Sequence, residues 1–158
     1  MASEAASMAP LDRTLTYRLH LVNKLTDKAS ADSYADELRL PVGQARCLAA
    51  IGNFAPLSVV ELAARSNLDK AQASRASQAL VERGLVAKRA SGTDGRGVVL
   101  SLTPRGRKLW ARVMDLIGQR NSQIFGCLSV AERKELGGML DRLIAHARNG
   151  QIPHGGID

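Results

Sequence analysis

With 158 residues, 45% apolar and only 3% aromatic, the chain has the length of one domain whose core must be built from Leu, Ala, Val and Ile. No apolar stretch approaches the roughly 18 residues of a membrane span, and Cys47 and Cys127, 80 residues apart without a CxxC pair or a neighbouring His cluster, argue against a zinc site and a disulfide framework. A net charge of +7 fits nucleic acid, an anionic membrane or an acidic partner, so the position of the charge has to decide.

Residues 1–10 are rich in Ala and Ser, with no basic segment ahead of an apolar one, and are expected to be a disordered N-terminus of a soluble, cytoplasmic protein. Over about 11–36, Leu11, Leu15, Leu19, Val22 and Leu25 recur at intervals of three and four, which predicts an amphipathic helix. A second helix is expected from Pro41, as a first-turn proline, through Ala45, Leu48, Ala49 and Ile51 to Gly52 or Asn53. Pro56 separates it from the third.

Two capping boxes come next, Ser58 with Glu61 and Asp69 with Gln72. The first opens a short helix over 58–66 with Val59, Leu62 and Ala63 on its apolar side, and the chain turns at Ser66, Asn67 and Leu68. The second opens a helix over 69–83 that Gly84 ends in a left-handed C-cap. This is the pattern of a helix-turn-helix whose second helix enters a DNA major groove. The β-branched runs 85–88 and 98–102 then predict a hairpin whose tip holds Arg89 and Arg96 among Gly92, Gly95 and Gly97. Such a wing can carry a guanidinium into a narrow minor groove. The glycines also suit an ordinary surface turn, and Arg96 can pair with Asp94.

Thr103 and Pro104 provide an N-cap and first-turn pair for a long helix carrying Leu109, Val113, Leu116, Ile117, Ile124 and Leu128. Ser129 with Glu132 caps a last helix with Leu136, Met139, Leu140, Leu143, Ile144 and Ala147 on one face. Residues 149–158 read as a flexible tail.

Position settles the charge question. Between Arg65 and Arg112 lie eleven Lys or Arg against three acids, a local net of +8, so the rest of the chain sums to −1. The expected fold is mainly α with a small β-hairpin wing, a single domain over 11–148. Within it a winged helix-turn-helix lobe at about 57–104 joins dimerisation helices at about 11–36 and 104–147. The end helices carry more apolar stripe than so small a lobe can cover, which favours a homodimer on an inverted repeat, with an intrachain helical cap as the alternative. No phosphate loop, HExxH or nucleophile elbow is present, so no enzyme, cofactor or metal is expected. A non-specific architectural DNA-binding protein, a docking module, or a redox-responsive regulator acting through Cys127 remain as alternatives.

The pairs Leu62-Ala63 and Leu85-Val86, then Asp94 and Arg96, and the run Leu100-Ser101-Leu102-Thr103-Pro104-Arg105-Gly106 resemble the multiple antibiotic resistance regulator (MarR) family of bacterial transcription factors. The likeness runs over about 11–147. It implies a winged-helix homodimer, usually a repressor. It also implies that DNA affinity falls when a small, often aromatic and anionic molecule binds between the dimerisation helices and the DNA lobe. In the wing it implies that Asp94 orients the backbone and that Arg96 reaches the minor groove. Ala71 and Ala73 depart from the family's commoner recognition helix, so base preference does not carry over. With Ala73, Ala76 and Leu80 packed inward, Lys70, Gln72, Ser74 and Arg75 are expected to face the groove, Gln72 on adenine, Arg75 on guanine or phosphate, Ser74 on phosphate. If the family architecture holds, Tyr17, His20 and Lys24, together with Arg46, Trp110 and Met114, border a site for an aromatic carboxylate. Trp110 and Met114 read equally as dimer core, and His20 as a surface side chain. The reactive Cys of the family's peroxide-sensing branch, near the start of the first helix, has no counterpart here.

Overall fold

Helix caps set most of the element boundaries. A computed structural model describes residues 9–91, 97–150 and 152. After a single 3-10 turn, Leu11–Arg13, helix α1 spans Leu15–Leu38. Its start lies later than the apolar stripe suggested because Thr14 is extended and its hydroxyl accepts from the Tyr17 amide. Arg39, in a left-handed conformation at φ 53°, ends it. Helix α2 is Val42–Phe54, with Pro41 as its extended N-cap and not inside the first turn.

Helices α3, Val59–Ser66, and α4, Lys70–Glu82, both start at complete capping boxes, with Asn67 left-handed in the turn between them. Gly84 follows α4 at φ 71°, a conformation that a side chain would strain. Strands β1, Val86–Ala90, and β2, Val98–Leu102, pair antiparallel from Val86 opposite Leu102 to Ala90 opposite Val98. Leu57 adds a third backbone partner, exchanging two hydrogen bonds with Leu100 at 3.3 and 2.7 Å.

Helix α5 is Pro104–Ile124 and helix α6 is Val130–Arg148. The expectation that Leu128 rides on the long helix is corrected, because Ser129 must be extended to cap α6 and the chain turns through Phe125 and Gly126 to reach it. Among the described residues no helix is long and apolar enough to cross a membrane.

The chain forms two compact units, Met1–Gly118 and Gln119–Asp158. In the first, Leu40, Leu48, Ile51, Leu62, Leu80, Leu100 and Val113 are fully buried in one aliphatic core. Leu15 and Leu25 of α1, by contrast, are 76% and 62% exposed, and Leu19 and Val22 between them also face solvent. In the second unit α6 buries no residue, and Met139, Leu143 and Ile144 are exposed.

Candidate nucleic-acid interface and ligand cavity

The recognition helix is fixed from below and free above. Ala73, Ala76, Ser77 and Leu80 are buried, a spacing of three and four that turns one side of α4 into the core. Lys70, Gln72, Ser74 and Arg75 are exposed. The centre of the outward stripe is Ala71, Ser74, Arg75 and Gln78. Gln72 has a local task as well: its Oε1 accepts from the Asp69 amide at 3.1 Å, while the Asp69 carboxylate accepts from the Gln72 amide at 2.7 Å. Paired contact with an adenine edge requires Gln72 to release that cap. Gln78, absent from the groove-facing residues expected above, accepts from the Lys88 ammonium of β1 at 2.6 Å and ties the wing to the helix. Its position carried a signal, four residues beyond Ser74 on the same stripe.

A second set of ties holds the exit of the wing. The Thr103 hydroxyl donates to the Gly84 carbonyl at 2.7 Å and accepts from the Gly106 amide at 3.0 Å, so one side chain joins the end of the recognition helix to the start of α5. At Gly106 a Cβ would collide with the Leu85 carbonyl, which is why the backbones can meet only at glycine. Arg83 at the end of α4 donates to Gln44 of α2 at 3.1 Å. In the wing, Arg89 is exposed on β1 and the hairpin closes with the Ser91 amide donating to the Gly97 carbonyl at 2.6 Å. Asp94 and Arg96, with Gly92 and Gly95, lie outside the described residues, as do His154 and residues 1–8. Among the described residues no Lys or Arg between Arg65 and Arg112 forms a salt bridge with a carboxylate, so this face keeps its positive potential.

A cavity of about 670 Å³ opens in the first unit among α1, α2, the end of α3 and α5. Arg46 and Met114 line it. Tyr17, His20, Lys24 and Trp110 do not. Trp110 packs its indole on the backbone of α2 at Gly52, where a Cβ would run into the ring. The three α1 residues are exposed, and the helix presents Asn23, Asp27 and Tyr34 to the cavity instead. His20 stands seven residues before Asp27, near the same face but about 10 Å closer to the N-terminus. Tyr17 and Lys24 are rotated away from it. Residues from the helix-turn-helix itself, Arg65, Ser66 and Asn67, complete the wall.

Charge in the cavity is mixed. Arg46 donates to the Asp27 carboxylate at 3.0 Å, and the Arg65 guanidinium lies 4.4 Å from the centre of the Phe54 ring. Asn53 donates to the Ala49 carbonyl at 2.7 Å and touches the Met114 sulfur at 3.3 Å. Behind the wall, burial pushes the Cys47 thiol up to about 11, against the smaller opposing effect of its hydrogen bond with Ser66. Cys47 is therefore a neutral packing group, while Cys127 is exposed.

Two helices joined by a tight turn, a hairpin wing laced to the second of them and an uncompensated basic face define a winged helix-turn-helix DNA-binding protein. A MarR family profile matches residues 40–97, from just before α2 past β1 and ending ahead of β2. The chain is 33% identical over 96 residues to a Thauera aromatica protein described as a putative transcriptional regulatory protein for the hcr operon, covering 61% of this chain and 58% of that one. The chain thus spans little more than half the length of that relative. It is 26% identical over 132 residues, 84% of this chain and 94% of the other, to the HTH-type transcriptional repressor Rv2887 of Mycobacterium tuberculosis. The crystal structure of Rv2887 with p-aminosalicylic acid superposes with a TM-score of 0.68 at 25% identity, over 82% of this chain and 98% of that one. A probable transcriptional regulator from Pseudomonas aeruginosa matches with a TM-score of 0.72 at 27% identity, over 85% and 99% of the two chains. These likenesses together support a MarR-type transcriptional regulator.

Proposed function

We propose that this protein is a homodimeric, sequence-specific repressor that binds an inverted-repeat operator and is released when a small aromatic anion enters the cavity beside Arg46. The observation that carries the DNA reading is the outward stripe of α4, small and cationic, opposite a fully packed one. A helix held so rigidly presents its side chains to base edges without losing much freedom on binding. Lys70, Ser74 and Arg75 then make the major-groove contacts, with Arg75 reading a guanine edge or a phosphate and Gln78 flanking it. Gln72 serves first as a cap. Arg89, Asp94 and Arg96 form the wing contact, Arg96 in the minor groove.

Residues 11–148 work as one functional domain in this reading, with the lobe at about 57–104 on DNA and the helices at about 11–36 and 104–147 in the dimer. The exposed leucines of α1 and the apolar side of α6 support a second copy as their cover. Rv2887, a repressor, has been crystallised with p-aminosalicylic acid and with salicylic acid, which supports an aromatic carboxylate as effector here. The cavity has the size of a small-molecule site and combines guanidinium groups with aromatic rings.

Selection from a random duplex library tests the reading. The expected product is an inverted repeat with half-site centres about 34–36 Å apart, one turn of DNA. Salicylate should then weaken binding to the selected duplex. Recovery of unenriched sequence would make the protein an architectural DNA-binding protein instead. Loss of binding on oxidation, abolished by Cys127→Ser, would make it a redox-responsive regulator.

A further inference from the structure

We propose that Asp27 is a built-in competitor for the effector, occupying Arg46 in the empty cavity and giving it up when a carboxylate ligand enters. This rests on the reading of the cavity as the effector site. Arg46 is only 34% exposed at its side chain, whereas Asp27 is 61% exposed, and they meet at 3.0 Å. A pair so open to water is held weakly, and Asp27 returns to solvent at little cost once displaced. Arg46 is the better anchored partner, on a helix that packs directly into the core.

The other cation of the cavity, Arg65, lies over Phe54, a neighbour that brings no negative charge. With Arg46 and Arg65 against Asp27, the lining carries one positive charge in excess, which suits a monoanion. A ligand carboxylate in a forked contact with Arg46 replaces the Asp27 oxygen with two. Its aromatic ring then has the Phe54, Tyr34 and Met114 surfaces to rest on. Arg65 belongs to the last turn of α3, next to the turn that leads into the recognition helix, so a ligand that draws on Arg65 acts on the DNA reader directly. Asp27 consequently sets the concentration at which the effector takes hold.

Calorimetric titration of the full chain with salicylate, and in parallel with neutral benzamide, tests the exchange. Asp27→Asn should tighten salicylate about two- to fivefold, the amount by which an exposed ion pair competes, and leave benzamide unchanged. Arg46→Met should weaken salicylate by about tenfold or more. Asp32→Asn removes the same charge from an α1 residue that pairs with Lys28 at 3.2 Å and does not line the cavity, and it should leave salicylate affinity as it is. If salicylate binds and Asp27→Asn leaves or weakens its affinity, or if Asp32→Asn tightens it equally, the exchange is wrong while the effector site stands. If neither the native chain nor Asp27→Asn binds salicylate, benzoate or p-aminosalicylate, both are wrong.

Discussion

The winged lobe and the helical ends of this chain solve the burial problem in opposite ways. Between α2 and the start of α5 most of the large apolar residues are packed internally, Phe54, Val60 and Val98 excepted: Leu48, Ile51, Leu62, Leu80 and Leu100 have no exposed surface, and both reader helices begin at satisfied capping boxes. Along α1 and α6 the apolar residues are spaced just as regularly, yet Leu15, Leu25 and Leu143 face water. Regular apolar spacing therefore predicts a helix with an apolar face, and says nothing of whether its own chain covers that face. A lobe that is complete by itself can serve as a rigid reader. Ends that are incomplete by themselves are suited to assembly.

The contrast breaks most visibly at α1. Leu25→Asp, read by sedimentation equilibrium, should weaken the proposed dimer by roughly 3–6 kcal/mol counted over both copies, since each buried leucine contributes about 1.5–3 kcal/mol. Urea unfolding of the lobe should hardly move. An unchanged dimer would place the partner surface elsewhere. In the lobe, Leu62→Ala removes a side chain with no exposed surface and should cost about 2–5 kcal/mol in urea denaturation. A cost below about 1 kcal/mol would show that the lobe is loosely packed.

The two cysteines sharpen the same comparison. At pH 8 a disulfide reagent should modify exposed Cys127 at once and Cys47 only as fast as the lobe opens. Because burial raises the Cys47 thiol from 9.0 to about 11, the folded chain holds a proton that the unfolded chain loses in that interval. Its contribution to stability is present in full below pH 9 and declines as pH rises from 9 to 11. The stability of Cys47→Ala should fall less steeply across this window than that of the native chain. Parallel slopes would remove Cys47 from the alkaline transition. Asp69→Ala, finally, should cost about 1 kcal/mol by loss of the α4 cap, because the Gln72 amide then has no carboxylate to donate to. Amide hydrogen exchange at Gln72 should quicken in that variant; unchanged exchange would mean that water replaces the carboxylate without loss.

How far the sequence could be read depended on the range of the interaction. Ser58 with Glu61, Asp69 with Gln72 and Ser129 with Glu132 all form the capping boxes their spacing announces, because a cap closes within four residues. The buried stripe of Ala73, Ala76 and Leu80 followed from helical geometry alone, and with it the outward direction of Lys70, Ser74 and Arg75. The cavity was harder to read. Arg46 and Met114 line it, whereas Tyr17, His20, Lys24 and Trp110 lie outside it, because lining depends on how far along α1 the cavity begins and on which side of α5 meets Gly52. Asp27 gave no signal beyond being one acid among several on α1.

The sequence by itself determined the helices, their caps, the hairpin and the concentration of positive charge on the reader, since each of these rests on residues close together in the chain. Only the tertiary structure decided that Leu57 joins the wing through Leu100, that Asp27 meets Arg46 across 19 positions of sequence, and that Trp110 is spent on Gly52. Those contacts are fixed by the packing of whole helices against a shared core. Such packing selects one angle and one depth among several that the same apolar stripes would allow.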